Sequence, residues 1–176
     1  MATHPSLSKL LSDDKSQQNE AFQELMAATK PPITWAYDIW DDIVKTLTDK
    51  DNRRRAIAAQ VLSNLAKSDP ENRMKKDFPK LLNVTRDDRF VTARHCLQSL
   101  WKVALIHPKM VADGLALRFR ECATEKNCTL IRYDITVVFR TIADATNDPA
   151  IRPLSEKLIA TELDPKYAKK YKSAWK

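Results

Sequence analysis

Three arginines recur at nearly constant spacing: Arg55, then Arg94 thirty-nine residues later, then Arg132 after a further thirty-eight. A guanidinium presents a rigid fork of donors that fits phosphate and carboxylate oxygens alike, so a ladder of them suits a polyanion or an acidic protein surface. One helical turn further along, the same spacing picks out Ala59, Gln98 and Thr136, then Ser63, Lys102 and Arg140. This stripe grows more basic toward the C-terminus. Its expected binding residues are Arg94, Gln98, Lys102, Arg132, Thr136 and Arg140. The arginines also have a structural use. Asp49 precedes Arg55 by six residues and Asp88 precedes Arg94 by six, so each guanidinium is placed to bond a turn aspartate of its own or the adjacent unit. Lys126 and Asn127 stand where the third aspartate would be, so Arg132 is expected to be unpaired. Lys102 and Arg140 lie outside the aspartate pattern and are expected to be the freer cations.

No nucleophilic or metal-binding constellation accompanies the stripe. Gly114 is the only glycine, which excludes a phosphate-cradling glycine loop, and Ser–His–Asp chemistry has no anchor. Structural zinc sites draw paired ligands two to four residues apart. His95, Cys96, Cys122 and Cys128 show no such pairing, and the cysteines read as small buried thiols. No catalytic residue, metal or cofactor is expected.

Apolar spacing of three and four residues divides the chain into helices that must carry these side chains. Ala58, Val61, Leu62 and Leu65 form one face; it returns at Leu97, Leu100, Trp101 and Ala104, and again at Ile135, Val138, Phe139 and Ile142. A fainter copy lies upstream, with Phe22 and Met26 matching Val61 and Leu65. Ser12 is the expected N-cap of the first helix. Trp35, Ala36, Ile39, Trp40, Ile43, Val44 and Leu47 make a strong second face, in which Trp40 reads as core and Trp35 as either core or recognition surface. Pro79 is expected to kink or split its helix. One glycine and nine prolines in 176 residues argue for helices joined by Pro, Asp and Asn turns rather than for hairpins. A fixed period of this length is the mark of a solenoid, whose units bury their apolar faces by stacking.

The recurring turn aspartate, the early arginine of the second helix and the Ala-Ala-x-x-Leu-x-x-Leu face (Ala58, Ala59, Leu62, Leu65) resemble the HEAT repeat of the armadillo-like superfamily. The likeness covers roughly residues 33–146. It implies an all-α, right-handed α-α superhelix of about four helix pairs, with second helices lining a concave groove. It also implies a scaffold for other proteins. A smaller branch of helical-repeat proteins cradles DNA, including glycosylases that remove alkylated bases. That alternative needs an aromatic surface and a carboxylate near an exposed base. Trp101, Tyr133, Asp134 and Asp144 supply the residue types, yet Trp101 is in register with core positions, and the two aspartates read as solvated helix residues.

The formal charge of +7 resides mostly at the end of the chain. Residues 165–176 hold Lys166, Lys169, Lys170, Lys172 and Lys176 with no acid, and the other 164 residues carry only +2. The expected organisation is therefore one repeat domain over residues 1–164 and a basic tail over 165–176. In that tail Lys169, Lys170 and Lys172 are candidates for weak, non-specific nucleic-acid contact. Apolar runs are far shorter than the roughly 20 residues a membrane span requires. The odd cysteine count fits the reducing cytoplasm. The sequence thus leads to the expectation of a non-enzymatic cytoplasmic scaffold that binds a protein partner through its concave face.

Overall fold

A computed structural model describes residues 4–176, and among them it is helical throughout, without strands. Contacts group the chain into two compact units, the first running to Lys102 and the second comprising Val103–Lys176.

The first unit contains α1 (Pro5–Leu10), α2 (Lys15–Ala28), α3 (Ala36–Thr46), α4 (Asn52–Leu65), α5 (Met74–Asn83) and α6 (Phe90–Ser99), with the start of α7 (Trp101–Ala104) at its end. Helices α2, α4 and α6 pack successively side by side, while α1 and α3 pack on α2 and α4, and α5 on α3 and α6. The central helix α4 is enclosed on almost every face, with Ala58, Val61, Leu62 and Leu65 sealed from solvent. Its small residues Ala56, Ala58 and Ala59 let both neighbours approach closely.

Local signals account for most boundaries. Asp14 caps α2 and Asp51 caps α4, each accepting a backbone N–H two residues on at 2.7 and 2.8 Å, which satisfies a donor the helix leaves unpaired. Ser12, the expected cap, instead accepts from the Asp14 N–H. Pro79 lies inside α5 without ending it. The expected continuous helix from about Arg89 to Ile106 is interrupted at Leu100, where the N–H turns back to Leu97 O.

The second unit comprises α8 (Pro108–Glu121), α9 (Cys128–Thr146), α10 (Ile151–Ile159) and α11 (Pro165–Lys172), followed by a 3-10 turn, Ser173–Trp175. Helix α9 is its spine, contacted by α8, α10 and α11. With glycine absent from its turns, left-handed backbone falls to asparagine: Asn147 ends α9 at φ 52°. The expected basic tail, residues 165–176, is helical over Pro165–Lys172. Tyr171 of α11 is completely buried, edge-to-face on Phe119 at 6.0 Å, and Trp175 donates to Ser155 Oγ at 3.0 Å. An aromatic every four residues along a helix that also holds lysines is an amphipathic pattern, and burying its aromatic side ties residues 165–176 into the unit.

The repeat positions behave as their spacing requires. Ala58, Leu97 and Ile135 are buried, as are Val61, Leu100 and Val138, and Leu65, Ala104 and Ile142. Trp101 departs from its register mates Leu62 and Phe139, being half-buried, because it opens the short α7 after the break at Leu100. The upstream copy is offset. On α2 the enclosed positions are Gln18, Ala21 and Leu25, while Phe22 and Met26 are half-buried.

Candidate functional site

The expected arginine stripe is largely consumed by the fold. Arg55 donates from Nε to Asp87 Oδ2 at 2.6 Å and from Nη2 to Asp87 Oδ1 at 2.9 Å. It also donates from Nη1 to the backbone carbonyl of Asp49 at 2.8 Å, and Nη2 reaches Asp88 at 3.3 Å. The arginine therefore ties the turn before α4 to the turn before α6. Its equivalents further along α4, Ala59 and Ser63, are buried in the α4–α6 seam, where the Ser63 and Ser99 hydroxyls lie 2.9 Å apart.

On α6 and α7, Gln98 is exposed and Arg94 half-buried, with its guanidinium 5.8 Å from the Phe90 ring centre. Lys102 is not a free cation. Its ammonium donates to Asn64 Oδ1 at 2.6 Å, and Asn64 in turn donates to Thr29 at the end of α2. Burial, followed by repulsion from Lys67, holds the Lys102 pKa below the usual lysine value.

In the second unit carboxylates and backbone carbonyls engage the expected cations. Arg132, expected to be unpaired, meets Glu162 at 2.7 Å and donates to Phe119 O at 3.0 Å. The missing turn aspartate is replaced by an acid thirty residues downstream, which short-range spacing cannot show. Thr136 is buried and its hydroxyl donates to Arg132 O at 2.6 Å. Arg140 bonds Asp144 at 2.7 Å and the Trp175 carbonyl at 3.1 Å. Of the tail lysines, Lys169 and Lys172 are exposed, while Lys170 lies half-buried over the Tyr133 ring at 5.2 Å.

The residue types for base excision fare similarly. Asp134 is buried rather than solvated. Asp144 is exposed and paired with Arg140, and Tyr133 is half-buried beside Lys170. Cys96 is buried and donates to Leu81 O; Cys122 and Cys128, also buried, bring their sulfurs to 2.8 Å across the α8–α9 turn. Among the described residues no group of three or more His, Cys, Asp or Glu side chains could hold a metal ion.

An open surface of the first unit lies one helical face away from the expected stripe. A cleft of about 450 Å³ crosses α2, α4 and α6. Phe22, Ala56, Ile57 and Val91 supply apolar lining, and Asn19, Arg53, Gln60 and His95 supply polar groups. Val91 is 63% exposed, an apolar β-branched side chain turned to solvent on a packed helix. Thr92 fixes the wall by donating to Asn52 O at 3.1 Å, and Arg53 donates to Asn19 Oδ1 at 3.3 Å. Gln18 closes the base. Its Nε2 donates to Ser12 O and Asp51 Oδ2, while its buried Oε1 has no donor among the described residues. The cleft positions also obey the repeat: Asn52, Arg53 and Ala56 lie thirty-nine residues before Val91, Thr92 and His95. That recurrence was available in the sequence, but Arg55 and Arg94 stood beside it and carried the more obvious chemistry.

Among the described residues no helix is long and apolar enough to cross a membrane. Comparison with models of known protein families, with curated proteins and with solved structures yields no match.

Proposed function

We propose that this chain is a non-enzymatic helical-repeat scaffold of the HEAT-like, α-α superhelical type, working in the reducing cytoplasm. It binds a segment of a protein partner in the α2–α4–α6 cleft. The observation that carries the reading is the mixed lining of that cleft. An apolar strip of Phe22, Ala56, Ile57 and Val91 offers burial, and Asn19, Gln60 and His95 offer hydrogen bonds at its edges. This combination of an apolar centre and polar rim is that of protein interfaces. A duplex-binding groove would instead present cations along its length, and here the cationic side chains are Lys15 and Arg53, with Asp51 beside them. The side-by-side order of α2, α4 and α6 supports the superhelical assignment, since successive second helices of such repeats form one layer.

Photo-crosslinking from position 95 in the source cell tests this reading. A discrete protein should be captured, and its purified form should bind the intact chain and lose about tenfold or more in affinity to Val91→Asp, the scale of a lost interface hot spot. Capture no greater than from the exposed position 109 would sink it.

A further inference from the structure

The second unit carries a cationic face separate from that cleft. Helix α11 buries Tyr171, leaving Lys166, Lys169, Lys172 and Lys176 exposed. Their separations of three, three and four residues set them in one row along the helix and its 3-10 extension. At helical rise the row spans about 15 Å, enough to follow several phosphates of one strand. No ion pair with a described residue occupies any of the four.

Beside the row is a cleft of about 470 Å³, floored by Ile159 and Ala160 and edged by Arg152, Lys172 and Trp175. The Trp175 indole is held in place before any ligand arrives. Its Nε1 donates to Ser155 Oγ at 3.0 Å, and its carbonyl accepts from Arg140 at 3.1 Å. The guanidinium carbons of Arg140 and Arg152 stand 5.9 and 5.6 Å from its ring centre. The carboxylate lining this cleft, Glu156, is bonded to Arg152 at 2.9 Å. A half-buried aromatic ring beside a row of unpaired lysines combines the two elements of single-strand recognition, a surface for a base and charge for the backbone.

We propose that the α11 lysine row and the Trp175 cleft form a binding site for single-stranded nucleic acid, without base specificity. A base lies in the cleft against the indole, and the adjoining phosphates follow Lys166, Lys169, Lys172 and Lys176. A duplex keeps its bases stacked and out of the cleft, so it engages the lysines alone. A membrane surface is the weaker match. A helix lying in a bilayer interface needs an apolar side facing the lipid, and the apolar side of α11 is already packed inside the unit.

The probe is a fluorescein-labelled oligothymidylate of about 15 nucleotides, within the usual single-strand site size. Its anisotropy is titrated at about 50 and 200 mM salt, the range over which phosphate contacts lose most affinity. Binding should weaken steeply with salt. The quadruple Lys166→Gln, Lys169→Gln, Lys172→Gln, Lys176→Gln variant, altered only at exposed positions, should lose at least about tenfold in affinity, and its salt slope should fall by about 0.7 for each phosphate contact removed. Trp175→Leu should weaken oligothymidylate binding by about fivefold or more and duplex binding much less, and Val91→Asp should bind the probe as the intact protein does. Circular dichroism of each variant separates misfolding from lost contact, and the lysine variant decides the matter if Trp175→Leu does not fold. No binding at the lower salt, equal binding by the quadruple variant, equal affinity for duplex, or preferential binding to phosphatidylserine vesicles overturns the proposal.

Discussion

Arg55 holds Asp87 with both arms of its guanidinium, Nε to Oδ2 at 2.6 Å and Nη2 to Oδ1 at 2.9 Å, joining the start of α4 to the turn before α6. The pair is nearly enclosed, the Asp87 side chain being 5% exposed. Parallel, charge-assisted bonds of this kind fix orientation as well as distance. The packing of α4 against α6 is thus pinned at its N-terminal end by the Arg55–Asp87 ion pair, with Asp88 beside it, and further along by the Ser63–Ser99 contact.

Breaking that pair should destabilise the first unit in a pH-dependent way. Arg55→Ala leaves a buried carboxylate uncompensated, a loss of about 3 kcal/mol near neutral pH. Burial by itself would raise the Asp87 pKa, but the bonds from Arg55 and the Arg89 N–H outweigh it and leave the pKa below the usual carboxylate value. A depressed folded-state pKa contributes stability above the unfolded value of about 3.9, and that stability is lost as pH falls through the folded value. Urea unfolding of the intact protein and of Arg55→Ala should therefore show a gap at pH 7 that narrows toward acid. A constant gap would mean that Asp87 is not the partner that matters.

Residues 165–176 should prove inseparable from the second unit. Tyr171 is fully buried, and replacing it with Ala should cost about 3–5 kcal/mol, as for other large aromatic core side chains. Truncation before Pro165 should likewise strip hydrogen-exchange protection from α9 and α10. Unchanged protection after truncation would show that the helix docks without contributing stability.

Leu100→Ala should cost about 2–5 kcal/mol, since the side chain is sealed from solvent. Trp101→Leu, at the half-buried neighbouring position, should cost about 1 kcal/mol. Denaturant midpoints of the two variants measure the contrast. A larger loss at Trp101 would place it in the core after all.

The thiols of Cys96 and Cys122 should be inert in the native protein. Burial pushes the Cys96 thiol far above its ordinary value. Burial, together with the Cys128 sulfur, pushes Cys122 up to about 12. Since the thiolate is the reactive form, a maleimide at pH 8 should leave Cys96 and Cys122 unmodified and label all three cysteines once the chain is unfolded in guanidinium. Rapid native labelling of Cys96 would show that α6 opens readily.

The sequence by itself determined the helical class and the buried faces of α4, α6 and α9. Ala58, Val61 and Leu65, then Leu97, Leu100 and Ala104, then Ile135, Val138 and Ile142 follow one another at three and four residues, the helical period, and apolar burial is a local consequence of that pattern. It also marked Arg55 as a residue that bonds a neighbouring turn. The tertiary structure decided which polar groups stayed open. Arg132 found Glu162, Lys102 found Asn64, and Arg140 found Asp144 and the Trp175 carbonyl. Of these partners only Asp144 lies one helical turn away, and the others lie at least thirty residues distant along the chain. The α2–α4–α6 cleft was hidden for the same reason. Its walls come from three helices, and a slip of one residue in the buried face of α2 moved Phe22 out of the core and into the lining. Spacing reports which side of a helix turns inward, because that depends on neighbours within a few residues. It does not report which distant acid a cation meets, because that depends on where the packed elements come to rest.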